Sequence, residues 1–371
     1  MADQPDHDHR PGADRALRTG RRRSAPARLR GPPQPAAPAA RPLAGDGRED
    51  DLAPFASDVV VLDETTLDQV ARTLPTLRGV PPGDDRLLLG KLAGLFDLRR
   101  QCRRVLEWVD AVHRNEKVIA RDLIAGLPVG SLIITDLGYF GFAWFDDLTD
   151  QGHWWLSRLR SRTSMVVLHT CIATDTYRDH LVYLGAHRAD RARHAVRLVE
   201  VKAGETWHRY LTNQTDPVVC PAADVVALYA RRWDIELAIR LVKDHLGVGV
   251  LWSAKPVLVQ QQVWAVLIIA QILQALRLKI AARAGVEPFD VSMELLVRWA
   301  PRLASEGRDI ITVFVEEGRR LGFIRPSLSA RFQRETLDSL GNPWDEVPSA
   351  SDACLRVPMI GRTGDEDCHI R

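Results

Sequence analysis

Two short β-branched runs that each deliver a carboxylate limit the fold of this chain more tightly than any other feature. Asp58-Val-Val-Val-Leu-Asp63 predicts a strand ending on an acid, and Ser131-Leu-Ile-Ile-Thr-Asp136 predicts a buried strand doing the same. Between them, residues 91–97 and 102–109 carry two further strand-like patterns, and 116–127 reads as a helix. Gly138 and Gly141 punctuate a turn after Asp136, before a helix over 144–149 and a strand over 153–160. Residues 165–173, 179–184, 195–201 and 206–212 then form a strand-rich stretch.

Downstream, Pro221-Ala-Ala-Asp224 opens a helix with Asp224 favourably placed in its first turn, and Gly247 is a suitable stop. At roughly 100° per residue, Arg232, Glu236 and Lys243 lie at about −60°, −20° and −40° from Tyr229. This Y-x2-R-x3-E-x6-K spacing therefore predicts one narrow stripe on a single helix. Leu228, Ile235, Ile239, Val242 and Leu246 cluster beside it as a face to bury. One carboxylate between two cations and a phenol suits a hydrated metal beside a phosphate backbone and suits an apolar core poorly. A long helix follows Pro256 and ends near Gly285, and another is predicted from Pro288 to Ala300, stopped by Pro301.

Composition narrows the function classes. The net charge of +2 says nothing about partners, but Arg far outnumbers Lys, and Arg is the natural fork for phosphate. The five cysteines are scattered, which fits neither a disulfide framework nor a CxxC zinc site and points to a reduced cytoplasm. The most apolar stretch, 257–280, is broken by Gln260, Gln261, Gln262, Gln271 and Gln274, so it reads as a buried helix, with no membrane partner. Residues 1–50 are rich in Arg, Pro and Ala and hold no Val, Ile, Phe, Trp or Tyr. Such a segment cannot bury enough apolar surface to offset its chain entropy, and disorder is expected.

Three strands, a helix and a strand, followed by a later helix, match an RNase H-like arrangement. In that order the first and fourth strands run side by side, so Asp63 and Asp136 can converge, and a packed helix can bring Glu236 to them. The nearby acids Glu64 and Asp68 are alternatives to Asp63, and Asp136 in an Asp-x-Gly sequence could simply open a turn. A cluster of three carboxylates repels itself unless cations neutralise it, and Mg²⁺ favours such oxygen ligands.

On these residues the chain resembles the DDE transposases of the insertion-sequence-four type. The resemblance spans about 58–298 and rests on Val-Val-Val-Leu-Asp63, on Leu-Ile-Ile-Thr-Asp136-Leu-Gly-Tyr-Phe, and on Tyr229, Arg232, Glu236 and Lys243 with Trp233 embedded. Leu137 stands where the family usually has Arg. The resemblance implies that Asp63, Asp136 and Glu236 are catalytic and bind two ions, Mg²⁺ or Mn²⁺. It also implies that Tyr229, Arg232 and Lys243 hold DNA phosphates. The implied activity is cleavage at transposon ends and strand transfer of the 3′-hydroxyl into target DNA, by a dimer on DNA. Trp207, beside His208 and Arg209, is a candidate for stacking on an unpaired base, although most strand aromatics are packing residues.

The expected fold is α/β: an RNase H-like mixed sheet with flanking helices, interrupted by a strand-rich insertion and preceded by a disordered N-terminal tail. The expected divisions are a tail over 1–55, a first catalytic part over 56–160, a β-rich insertion over 161–218, the signature and following helices over 219–305, and a weakly ordered extension over 306–371. The family usually places a folded end-binding domain before the first Asp, where this chain has its tail, so weak recognition of specific ends is expected. The alternatives are a recognition-defective, DNA-binding transposase remnant and an RNase H-like nuclease that needs no inverted repeat.

Overall fold

The computed structural model describes residues 52–66, 79, 81, 90–109, 114–185, 191–203, 205–247 and 256–326, all within the compact unit Pro42–Arg371. Most of the predicted tail, the acid Asp68 and residues 327–371 lie outside the described residues. Nine strands form one sheet: β1 (Val59–Thr66), β2 (Lys91–Asp97), β3 (Cys102–Val109), β4 (Leu132–Thr135), β5 (Trp154–Arg158), β6 (Met165–Ala173), β7 (Tyr177–Leu184), β8 (Val196–Ala203) and β9 (Thr206–Thr212). Their spatial order is β3-β2-β1-β4-β5-β9-β8-β7-β6. β1 and β4 pair in parallel, as do β4 and β5, and the remaining neighbours are antiparallel.

The β1–β4–β5 centre is apolar along its whole length because both of its faces are covered. On one face, Val60, Leu62 and Ile133 meet α1 (Glu116–Ile124) and α2 (Phe142–Asp150) through Ile119, Leu123, Trp144 and Leu148. On the other, Val59, Val61, Leu132 and Ile134 meet α3 (Ala222–Ala230) and α4 (Trp233–Arg240) through Val225, Leu228 and Ile235. The three-layer mixed sheet agrees with the RNase H-like expectation. The strand-rich stretch does not form a body of its own, because β9 pairs with β5 and β6–β9 extend the same sheet.

Three boundaries differ from expectation. Leu52–Phe55 belong to the fold and not to the tail: Arg99 donates to the carbonyls of Leu52, Ala53, Ala56 and Ser57 at 2.8–3.0 Å. Helix α6 (Met293–Ser305) runs through Pro301, since burying Leu296, Ala300 and Leu303 offsets the missing backbone bond. Residues 306–326 are ordered: Asp309 caps α7 (Ile310–Glu317), whose Val313 and Phe314 share a core with Phe323 and Ile324.

The helix after Pro256, α5 (Pro256–Ala284), is only partly the buried helix that its sequence suggested. Val259, Val263, Ala270 and Ile280 are buried, while Val257, Leu258, Trp264, Ile268, Ile269 and Ile272 are exposed along one face. By length and composition alone, Val257–Ala284 could cross a membrane.

The extended sheet is anchored to the start of α3 by a buried ion pair. Arg197 donates to Asp179 at 2.6 Å and to the Cys220 carbonyl at 2.6 Å, and the Tyr177 hydroxyl donates to Asp179 at 2.7 Å. Arg197→Met would strand a buried carboxylate and is expected to cost about 3–5 kcal/mol of unfolding free energy in denaturant titrations. Adding Asp179→Leu should recover part of that loss. If the double variant is no better than the single, the cost lies in packing and not in the stranded charge.

Candidate active site

Strand register brings the two strand-end acids together. The β1–β4 ladder ends at the pair Leu62↔Thr135, so Asp63 and Asp136 are the next residue on each strand. Adjacent strands lie about 4.8 Å apart. Side chains alternate along β1, so Asp63 shares the Val61 face, under α3 and α4, whereas Glu64 shares the Leu62 face, under α1. Asp136 has extended backbone angles, which continue the alternation of β4 and place it on the same face as Ile134 and Asp63.

Each acid is oriented by a backbone donor. The Glu64 N–H donates to Asp63 Oδ1 at 2.8 Å. The Gly138 N–H donates to Asp136 Oδ1 at 2.9 Å, with Asp136 capping a 3-10 turn over Leu137–Tyr139. Gly94, the β2 partner of Asp63, has no room for a side chain, since a Cβ there would sit 2.8 Å from the Val105 carbonyl. The resulting gap is part of a crevice that Asp63 shares with Thr65, Lys243 and the apolar side chains of Leu92, Phe96 and Ile239.

The signature residues do not lie on one regular helix. Helix α3 ends at Ala230, a tight turn follows at Arg231 and Arg232, and α4 begins at Trp233. After α4 a π-helical turn, Leu241–His245, carries Lys243. The uniform 100° per residue therefore does not hold across 229–243. The turn has a tertiary cause: Asp234, 4 % exposed, accepts from Arg231 Nε and from Gln101 Nε2, both at 2.8 Å, which ties the start of α4 to the β2–β3 turn.

Within this broken helix, Arg232 sits 2.5 Å from Glu236 Oε1, and its guanidinium lies 5.8 Å from the centre of the Tyr229 ring. Tyr229 is largely buried, 5.2 Å from the Tyr210 ring, and burial pushes its hydroxyl up to about 12. Burial likewise pushes the Asp63 carboxyl up to about 6; the Glu64 N–H and Arg232 pull it down, and Asp136 and Glu236 push it further up. Asp63, Asp136, Arg232 and Glu236 thus share one electrostatic environment.

The three carboxylates form an all-oxygen donor set, which suits a hard cation such as Mg²⁺. Among the described residues, however, no three His, Cys, Asp or Glu side chains sit together as a metal-binding group. Glu236 instead holds Arg232, so a cation would have to displace that guanidinium.

Two features were not anticipated from the sequence. Lys91, 2 % exposed, donates to Glu64 at 2.8 Å and to the Arg114 carbonyl at 2.9 Å, behind the sheet from Asp63. Burial pushes Glu64 up to about 7, Lys91 opposes the shift, and Glu116 adds to it. A Lys opening a strand otherwise apolar up to its final Asp was the available signal. Trp207 lies away from the carboxylates: its ring carries the Arg178 guanidinium at 4.3 Å. The β8–β9 register puts it on the opposite side of the sheet from Tyr210, which packs on Tyr229.

Residues 91–272 match the family model described as a transposase DDE domain, a span that holds Asp136 and Glu236 and begins well after Asp63. Over that span the chain resembles the DDE domain of transposases. It is 27 % identical over 274 residues to transposase y4zB of Sinorhizobium fredii, covering 68 % of this chain and 74 % of that protein. It is 28 % identical over 181 residues to transposase InsG of Escherichia coli insertion sequence element IS4, covering 45 % of this chain and 39 % of that protein.

The raised Asp63 pKa carries a stability consequence. The folded-state value of about 6 lies above the ordinary 3.8, so this group favours folding at low pH, and that contribution fades as pH rises through about 6. Asp63→Asn is therefore expected to stabilise the metal-free chain above about pH 6 by on the order of 1–3 kcal/mol, with little effect below about pH 4. Thermal melts across that range check it. Equal destabilisation at both ends would mean that Asp63 is a packing residue.

Proposed function

We propose that this chain cuts DNA at transposon ends and joins the freed 3′-hydroxyl to target DNA, with Asp63, Asp136 and Glu236 as the catalytic carboxylates. The observation that carries the proposal is the shared field on Asp63: two acids from a neighbouring strand and a helix act on one half-buried carboxyl. Such repulsion is costly to maintain in a structural role, and a site for two divalent ions, Mg²⁺ or Mn²⁺, accounts for it. Bound there, the ions would supply the positive charge that phosphodiester displacement needs at the attacking and leaving oxygens.

The remaining roles belong to the chain itself. Arg232, displaced from Glu236, is free to offer its fork to a DNA phosphate. Lys243 adds a point charge at the mouth of the Asp63 crevice, and Tyr229 a neutral donor held in place by Tyr210. The burial of Tyr229 keeps its hydroxyl protonated and able to donate at neutral pH. Trp207 with its Arg178 partner serves as a second DNA contact, remote from the carboxylates. Cutting paired ends calls for two copies of the chain on DNA, acting in the cytoplasm.

The test is cleavage of labelled terminal-repeat DNA by the full chain in Mg²⁺. Asp136→Asn and Glu236→Gln should each lower the rate by at least about 100-fold, more than the loss of a second-sphere partner at a metal. DNA affinity should largely survive in both. Lys243→Ala should instead weaken binding and flatten its salt dependence by about 0.9 in log–log slope, the share of one duplex phosphate contact. Cleavage that persists in Asp136→Asn would overturn the catalytic assignment. Cleavage of any DNA without regard to a terminal repeat would favour a general nuclease.

A further inference from the structure

Behind α4, on the side away from Asp63, lies a cleft of about 520 Å³ that the catalytic proposal does not use. Its walls come from α4 and the π-helical turn, from α5, and from residues 289–294 and 325–326. A volume of this size holds a small ligand. Helix α4 and Phe96 line both spaces, with Ile235 and Ile239 on the Asp63 side and Leu237 and Leu241 on the cleft side.

Arg277 dominates the interior. It is 7 % exposed, and its guanidinium lies 4.4 Å from the centre of the Phe289 ring. Nε donates to the Pro288 carbonyl at 2.5 Å. The other guanidinium nitrogens, Nη1 and Nη2, carry four N–H donors with no acceptor among the described residues. Neither nitrogen is among the fully buried unpaired atoms, so both keep some exposure and can meet a ligand. Burial pulls the guanidinium down to about 10, with Asp234 and Asp290 opposing from beyond ion-pair reach, so it stays charged at neutral pH.

Two more guanidiniums belong to the same cleft. Arg240, at the end of α4, and Arg325 are exposed, and neither side chain has an acidic partner among the described residues. The acids present are mostly committed elsewhere: Asp234 to Arg231 at 2.8 Å, Glu294 to Arg298 at 3.7 Å, and Asp290 to an interaction of its own. Three guanidiniums without an acidic partner among the described residues, one of them buried and aimed into the cavity, make an anion site. The guanidinium fork matches phosphate.

We infer that this cleft is a second phosphate site, separate from the carboxylates, in which Arg240, Arg277 and Arg325 hold a phosphate group of a DNA strand. The choice of DNA as the source rests on the transposase proposal; the anion site itself does not. The geometry suits a strand that has already passed the catalytic face and turns around α4, so the site would grip DNA beyond the cut without touching the reacting bond.

The test uses the full chain in EDTA, with inorganic phosphate, thymidine monophosphate and a short oligodeoxythymidylate as probes. The double variant Arg240→Ala/Arg325→Ala should bind the oligonucleotide about 10-fold more weakly. It should also lower the salt slope by about 0.7, the share of one single-strand phosphate that is no longer neutralised. Arg277→Lys, which keeps the charge and removes the fork, should weaken binding comparably with an unchanged circular dichroism spectrum. The surface control Arg302→Ala/Arg320→Ala, whose arginines pair with Glu306 and Glu317, should stay within about two-fold of the parent protein. Losses equal to the control would overturn the site. Arginine-dependent binding of phosphate or the mononucleotide, without the oligonucleotide, would overturn DNA as the source and keep the anion site. Terminal-repeat cleavage in Mg²⁺ is scored separately, so an inactive chain with arginine-dependent binding would count against the transposase proposal alone.

Discussion

The parallel pairing of β1 with β4 is the constraint from which the rest follows, because its register sets two acids side by side at the end of an apolar sheet. With Leu62 opposite Thr135, the next residues on both strands are Asp63 and Asp136, facing the same helical layer. A shift of one residue would turn one acid to the other face, since side chains alternate along a strand. The apolar runs before each acid prevent that slip. Val59, Val61, Leu132 and Ile134 must meet α3 and α4, while Val60, Leu62 and Ile133 must meet α1 and α2.

Holding these acids together has an electrostatic cost, and the structure meets it in two different ways on the two faces of the sheet. On the Asp63 face, Arg232 pairs with Glu236 and lies over the Tyr229 ring. On the opposite face, Glu64 is answered by Lys91, a fully buried ammonium that also grips the Arg114 carbonyl. The first arrangement is partly exposed, at 18 % for the Arg232 side chain and 29 % for that of Glu236. The second is sealed and holds the end of β1 in place. Helix α4 lines both the Asp63 crevice and the arginine-lined cleft, and Asp234 fixes where that helix begins.

Much of the fold was legible. The limits of β2, β3, β6 and β9 coincide with the sequence pattern, because each is rich in apolar, aromatic or β-branched residues. The site was legible in its composition: Asp63 and Asp136 stand out as acids after apolar runs, and Glu236 as an acid amid cations. The break between α3 and α4 was not legible, since nothing in Tyr229 to Trp233 disfavours a helix locally. Gln101, more than a hundred residues away, captures Asp234 and fixes the turn there. The exposed face of α5 was equally hidden, because Val257, Leu258, Ile268 and Ile272 look in sequence like any other core positions.

By itself, the sequence determined the strands, the order of the acids and the kind of chemistry they suit, all properties of local pattern and residue type. The tertiary structure decided which acids meet, that Glu236 rests on Arg232, and that Glu64 turns its back on Asp63. It also decided that Arg277, Arg240 and Arg325, far apart in the chain, share one cleft. The division has a physical reason. Pattern records what a segment can bury, whereas the partner of a buried charge depends on which distant segment packs against it.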